Sequence, residues 1–228
     1  MPGVARADQT QVFIAGTAFT GVHKDADTVL DHAYVLALPS FALRSTHKQI
    51  EVLLEDVPGI GPLRYNTYSG QRKLTVGYGD ATLRYWLPGG HIAFGIGDSL
   101  YVRQNDYGNG SYDGVRTAGT RYEIAGAVHL ARDLRVLARL GLSPTMHQRF
   151  MQWITGSPFH AYEFGKASLV DGSVQLEQTR GGGHTWVWGV RYLNYAGGNF
   201  PPFWDHAQER TGVISAFAAW GFSLGSAH

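Results

Sequence analysis

The chain has 228 residues, of which 44% are hydrophobic, 13% aromatic and only 16% charged. So few charges exclude a disordered, solvated chain, and a net charge of +1 removes any global electrostatic case for nucleic acid. Cysteine is absent, which excludes disulfides, thiol catalysis and cysteine-based zinc sites.

A single domain over 1–228 is expected, with 1–9 a flexible N-terminus. The start, Met1-Pro2-Gly3-Val4-Ala5-Arg6-Ala7-Asp8, has no apolar signal core. Export therefore requires that a signal has been removed. No run approaches the roughly 20 apolar residues of a membrane-crossing helix.

Period two runs through the chain. Residues 11–20, 30–43 and 74–87 alternate imperfectly. Pro39 interrupts the second of these, which implies an edge, a bulge or a strand end. In the third, the apolar face switches near Gly79, which suggests a bulge. Between them, 49–56 sets Glu51 and Glu55 against Ile50, Val52 and Leu54. In 120–130, Tyr122, Ile124, Val128 and Leu130 oppose Arg121, Glu123, Ala125 and His129. In 134–147, Leu134, Val136, Leu140, Leu142 and Met146 oppose Arg135, Arg139, Ser143, Thr145 and His147. In 169–178, Val170, Val174 and Leu176 oppose Asp171, Ser173, Gln175 and Glu177. In 185–195, Trp186, Trp188, Val190 and Tyr192 oppose Thr185, Gly189 and Arg191. In 213–224, Ile214, Ala216, Ala218, Trp220, Phe222 and Leu224 oppose Ser215, Gly221 and Ser223, with Phe217 an exception. Only extended strands separate such sets.

The connections alternate in length. Ser45-Thr46, Leu87-Pro88-Gly89-Gly90, Arg132-Asp133 and Arg180-Gly181-Gly182-Gly183 read as tight turns. Residues 21–28, 57–71, 105–113, 150–166 and 197–211 read as long polar or aromatic loops. The expected fold is all-β: a closed antiparallel up-and-down transmembrane barrel of about ten strands (8–12), with short turns on one side and long loops on the other.

Alternation alone does not say which face meets the outside. Three features favour lipid. Arginines rather than lysines accompany the carboxylates, as suits pairing where water is scarce. Tyr122, Trp186, Trp188, Tyr192, Trp220 and Phe222 would form an aromatic girdle. Loop length alternates by side, which a sandwich has no reason to do. Arg121, Glu123, Arg135, Arg139, Asp171, Glu177 and Arg191 would then line the lumen, as an ion-paired plug in preference to an open channel.

On this pattern the chain resembles the small outer-membrane barrel proteins of diderm bacteria. That resemblance implies an outer-membrane location, outer-membrane lipid as partner, and a structural, adhesive or narrow-pore role without catalysis or cofactor. Such barrels end in a strand with an aromatic terminal residue; here Ser223–His228 follows Phe222. The long loops could bind a surface ligand through Tyr107, Asn109, Tyr112, Phe159, Tyr162, Phe164, Phe200, Phe203 and Trp204, or these side chains could pack loop against loop.

Signals for chemistry are weak. His129 and His147 fall on polar faces of adjacent strands, but no His pair has metal-ligand spacing. Gly95-Ile96-Gly97-Asp98 is half of a phosphate loop with no helix after it. Outer-membrane lipid A deacylases place His and Ser two residues apart; Asn194 and Ala196 stand there instead. For an omptin-like protease, His206 with Asp205 or Glu209 is the candidate. Two rival readings follow: a soluble lipocalin-like barrel with an apolar ligand, and a barrel hydrolase acting on lipid or peptide.

Overall fold

A computed structural model describes residues 8–24, 29–67, 70–106, 109–198 and 209–224. They form ten strands: β1 Gln9–Lys24, β2 Val29–His47, β3 Ile50–Thr67, β4 Gly70–Trp86, β5 Ile92–Asp106, β6 Tyr112–Ala131, β7 Leu134–Trp153, β8 His160–Arg180, β9 His184–Ala196 and β10 Arg210–Ser223. Each pairs antiparallel with its neighbours in sequence, and β1 pairs with β10, from Gln11↔Ser223 to Lys24↔Arg210, to close the barrel. Closure means that neither terminal strand, β1 or β10, is left as a free edge.

The turns at one end are short because the residues there permit tight reversals. Arg132 and Asp133 alone join β6 to β7, and glycines at positive φ, Gly89 (99°), Gly90 (72°), Gly182 (82°) and Gly183 (77°), turn β4 into β5 and β8 into β9. The first turn lies at residues 48–49 rather than at Ser45-Thr46, both of which still pair with β1. Lys48, at φ 53°, is the residue that reverses the chain.

At the opposite end most of the stretches read as loops are strand. β3 and β4 extend to Thr67 and Gly70, and β7 and β8 to Trp153 and His160. β9 ends at Ala196 and β10 begins at Arg210, and residues 199–208 between them lie outside the described residues. The strands, of 13 to 21 residues, exceed the roughly ten expected of a membrane-crossing strand, so the barrel wall continues well past one bilayer's thickness. Gln9, read as part of a loose terminus, opens β1.

Two phase readings also change. In β7, Ser143-Pro144-Thr145 carries a bulge: the register with β8 shifts between Ser143 and Met146. Proline has no N–H to give to the ladder, so it falls where the ladder is interrupted. Beyond it, Met146 turns inward and His147 outward. His147 sits opposite Ala118, and His129 opposite Arg135 near the short turns, so the two histidines are far apart along the wall. Conversely, Gly79 is no bulge on the β5 side, because β4 pairs with β5 without a break from Lys73 to Trp86.

Candidate functional site in the barrel interior

Inward-facing side chains lie in layers. Next to the short turns, Trp86 packs on Ala93, Ala125, Ala127 and Leu137. Above this layer lies a web of ion pairs. Arg121 is fully buried; it donates to both oxygens of Asp171, to Glu123 at 2.9 Å and to the Tyr78 hydroxyl at 3.0 Å. Arg84 joins Glu123 to Glu51, the latter at 2.6 Å. Glu177 accepts from Arg44 and Arg135, each at 2.7 Å, and from Gln175. Glu55 accepts from Arg139 and from Arg191 at 2.8 Å. Arg139 also donates to Ser173, and Tyr78 donates to Asp80 at 2.9 Å.

All seven residues read as lumen-lining thus take part in these ion pairs, which together draw on seven strands, β2 to β4 and β6 to β9. Sequence reading missed Arg44, Tyr78, Asp80 and Arg84. Glu51 and Glu55 stood on a recognised polar face, but no partner for them was evident. Arginines 44, 84, 121, 135, 139 and 191 pair with carboxylates 51, 55, 123, 171 and 177, and a sixth carboxylate, Asp80, accepts from the Tyr78 and Thr82 hydroxyls, so the interior holds as many carboxylates as arginines. Paired, hydrogen-bonded charges are the form in which ions tolerate burial. Glycines make room for it: a Cβ at Gly141 would collide with the Arg121 guanidinium. Phe217, the exception in its strand's alternation, faces inward with Arg191 over its ring at 5.7 Å. Its cross-strand neighbour is Gly189, where a Cβ would come within 2.6 Å of the ring.

Further from the short turns the interior becomes apolar. Val76, Tyr78, Tyr101, Met146, Ala167, Leu169, Leu193 and Tyr195 form the largest core cluster. Tyr101 stacks on Tyr195 at 3.9 Å, and their hydroxyls bond to Thr211 at 2.9 Å and Gln148 at 2.6 Å. Arg103 meets Glu209 at 3.0 Å.

The outer face changes in the opposite sense. Around the ionic web it carries Ile50, Val52, Leu54, Leu83, Phe94, Ile96, Ile124, Val128, Leu140, Val174, Val190 and Ile214, all exposed. Trp186 and Trp188 stack there at 6.2 Å, and Trp220 lies between His184 and Phe222 near the short turns. Tyr192 is exposed toward the other end of β9, and Tyr122 is exposed at the middle of β6. Around the apolar cluster the outer face instead shows Arg116, His147, Arg149, Glu163 and Lys166. A single barrel therefore has two regimes: ionic inside and apolar outside near the short turns, and beyond them an interior that is mainly apolar, apart from the pairs of Arg103 with Asp113 and Glu209, with charged side chains outside.

Of the residues considered for chemistry, Tyr107, Phe200, Phe203, Trp204, Asp205 and His206 lie outside the described residues. Glu209 is buried against Arg103 and accepts from Tyr101 at 3.5 Å, so its carboxylate is already engaged within the interior. Asn194 is exposed. Among the described residues no group of three His, Asp or Glu could hold a metal ion. The side chain of Phe164 is not described, and Phe159 and Tyr162 are exposed, with Tyr162 stacked on His160.

No family model and no curated protein matches the sequence. Solved structures do match. The outer membrane protease OmpT from Escherichia coli superposes with a TM-score of 0.60 at 8% identity, over 96% of this chain and 98% of that one. The translocator domain of the autotransporter NalP from Neisseria meningitidis gives 0.47 at 12% identity, over 96% and 90%. Neisserial surface protein A gives 0.43 at 9% identity, over 93% and 97%. At this identity OmpT shares with the chain its fold, a closed antiparallel β-barrel, and nothing about its residues' chemistry follows.

Proposed function

We propose that the chain is a bacterial outer-membrane barrel with a structural or adhesive role and a lumen closed to free ion flow. The observation that carries this reading is the exchange of regimes along the wall. Water on one side and hydrocarbon on the other would reverse the polarity of both faces at a single height, and such a reversal is seen in β6, β7 and β8. In β6, Ile124 and Val128 point outward beside inward Arg121 and Glu123; further along, Arg116 points outward beside inward Val115. A soluble lipocalin-like barrel has no reason to expose the first set.

On this reading Trp186, Trp220 and Phe222 form the girdle at the short-turn interface, and Tyr122 and Tyr192 mark the opposite one. Outer-membrane lipid is the partner of the apolar belt. The lumen residues hold the barrel together and seal it. Narrow-pore function is disfavoured by the neutral web, in which each named charge has a partner.

The test is twofold. Detergent-extracted protein should migrate faster on gels when unheated than when boiled. Reconstituted in planar bilayers, it should give no steady single-channel conductance. A freely soluble monomer would refute the membrane reading; a stable ohmic channel would refute the sealed lumen.

A further inference from the structure

The wall is not paired along its whole height. Among the described residues, β2 and β3 pair from His47↔Ile50 only as far as Phe41↔Asp56. Both strands continue beyond, β2 to Val29 and β3 to Thr67, each still bonded to its other neighbour, β1 or β4. The sequence explains where the ladder stops. Continuing the same register would set Pro39 opposite Pro58, and neither has an N–H to give. β2 shifts register against β1 just there, between Ala15↔Ser40 and Thr17↔Ala37. β3 shifts against β4 between Val57 and Ile60, and again between Ile60 and Leu63, across Pro58, Gly59, Gly61 and Pro62. The ladder thus ends where both strands are irregular against their other neighbours and both carry a proline.

Behind this gap lies a void of about 100 Å³ inside the barrel. Its walls are mainly apolar, with Phe13, Leu53, Val187, Leu193, Val213 and Phe217 among them. It exists because Ala15, Ala42 and Ala219 are too small to fill that side of the lumen. The arginines and carboxylates at its edge already satisfy one another, as Arg44 does with Glu177 and Glu55 with Arg139 and Arg191. Most lining residues point inward, but Phe41 and Asp56, which are exposed on the outer face, line the void as well. The void therefore lies against the last rung of the β2–β3 ladder, where the paired wall ends. That rung lies within the apolar belt: Phe41 is level with exposed Ile14 of β1, and exposed apolar side chains continue on β1 up to Val22.

We propose that this void binds a small apolar molecule, which enters and leaves sideways between β2 and β3, directly from the bilayer hydrocarbon. The proposal rests on the membrane-spanning reading above. Apolar cavities of roughly 150 Å³ take up benzene or xenon, so a void of this size and lining suits a ligand no larger than one ring. The lateral route follows from the unpaired stretch, since backbone groups left facing lipid are costly unless the gap is occupied or solvated from within.

The test uses the full chain with labelled Leu, Val and Ala methyls in phosphatidylcholine nanodiscs, titrated with benzene and followed by NMR. Saturable shifts are expected at Leu53, Val187, Leu193 and Val213, and not at lipid-facing Val174 or Val190. Ala42→Phe and Ala219→Leu, which fill the void from different strands, should each weaken binding by about tenfold or more. A Ser40→Cys/Val57→Cys pair, in a chain that has no other cysteine, should slow benzene exchange by about tenfold or more when oxidised and restore it when reduced. Shifts confined to lipid-facing methyls in an inserted barrel would overturn the site. Equal exchange with and without the cross-link, or a pair that cannot be oxidised, would overturn the lateral route. A chain that fails to insert into nanodiscs would overturn the membrane reading and this proposal together.

Discussion

Replacing Asp171 by Asn removes one charge from a balanced interior. Arg121 donates to both Asp171 oxygens, and the side chains on either side of the pair are buried. The amide keeps the shape but can accept on one atom only, and the web acquires a net charge of +1. Removing one partner of a buried pair costs about 3–5 kcal/mol, because the other charge is left uncompensated. Here Glu123 still accepts from Arg121, so the lower end, about 3 kcal/mol, is the expected loss. The reasoning makes a second, opposite demand. Arg121→Leu with Asp171→Leu removes the charge pair as a unit, and should lie within about 1 kcal/mol of the parent despite changing two buried residues. Urea unfolding in phospholipid vesicles, followed by tryptophan fluorescence, measures both. The reasoning fails if Asp171→Asn costs less than about 1 kcal/mol, or if the double variant is as unstable as the single one.

Three further outcomes follow from the same geometry. Val174→Arg, in the middle of the apolar belt, should destabilise the inserted barrel by about 2–4 kcal/mol, whereas Arg149→Glu, beyond the belt, should change it by less than about 0.5 kcal/mol. The same vesicle unfolding assay reads both. Gly189→Val should cost about 1–3 kcal/mol, since its Cβ would meet Phe217 Cζ at 2.6 Å and the Val174 carbonyl at 2.8 Å; Phe217→Ala in the same chain should relieve part of that loss. Single-tryptophan chains in brominated-lipid vesicles should be quenched at Trp188, which is exposed, and spared at Trp86, which is buried. Equal quenching of the two would contradict the orientation of the wall.

On the proposed membrane reading, the legible part of this fold is the part with lipid on one side. In β6, β8 and β9 the alternation of Arg121 with Tyr122, Asp171 with Val170, and Arg191 with Tyr192 is as clear in the letters as in the structure, because hydrocarbon and a polar lumen make opposite demands on consecutive residues. The extensions were illegible for the same reason. At Val115, Arg116 and Phe150 the apolar residue faces in and the charged one out, so the pattern dissolves for anyone following one apolar face, and 150–166 reads as a loop. The apparent bulge at Gly79 has that origin. β4 keeps its phase, and its inward face changes from Val76 and Tyr78 to Asp80, Thr82 and Arg84 as it descends toward the short turns. Of the missed members of the web, Tyr78, Asp80 and Arg84 lay in one of those imperfect stretches, 74–87, and Arg44 just past the end of another, 30–43. Which carboxylate meets which arginine could not be read from one strand at a time: Arg44 of β2 reaches Glu177 of β8, and Arg191 of β9 reaches Glu55 of β3.

Why a barrel should fill its narrowest part with ions rather than with leucines is a question of register. An apolar interior beside an apolar exterior would leave little to distinguish a strand from the same strand slipped by one residue, since a one-residue slip exchanges the two faces completely. With the web in place, a slip of β6 would carry Arg121 and Glu123 to the apolar outer belt, and, if that belt meets lipid as proposed, arginine at the bilayer midplane costs about 2–4 kcal/mol on its own. The ionic interior therefore specifies the pairing even where it adds little net stability, which is the best-attested service of buried charge. Beyond the belt, where water surrounds the wall, the outward charges of Arg116, Arg149 and Glu163 perform that discrimination, and the interior is free to be a conventional apolar core around Tyr101 and Tyr195. The β2–β3 seam is the place where neither device operates, because Pro39 and Pro58 withdraw the backbone donors on which any register depends.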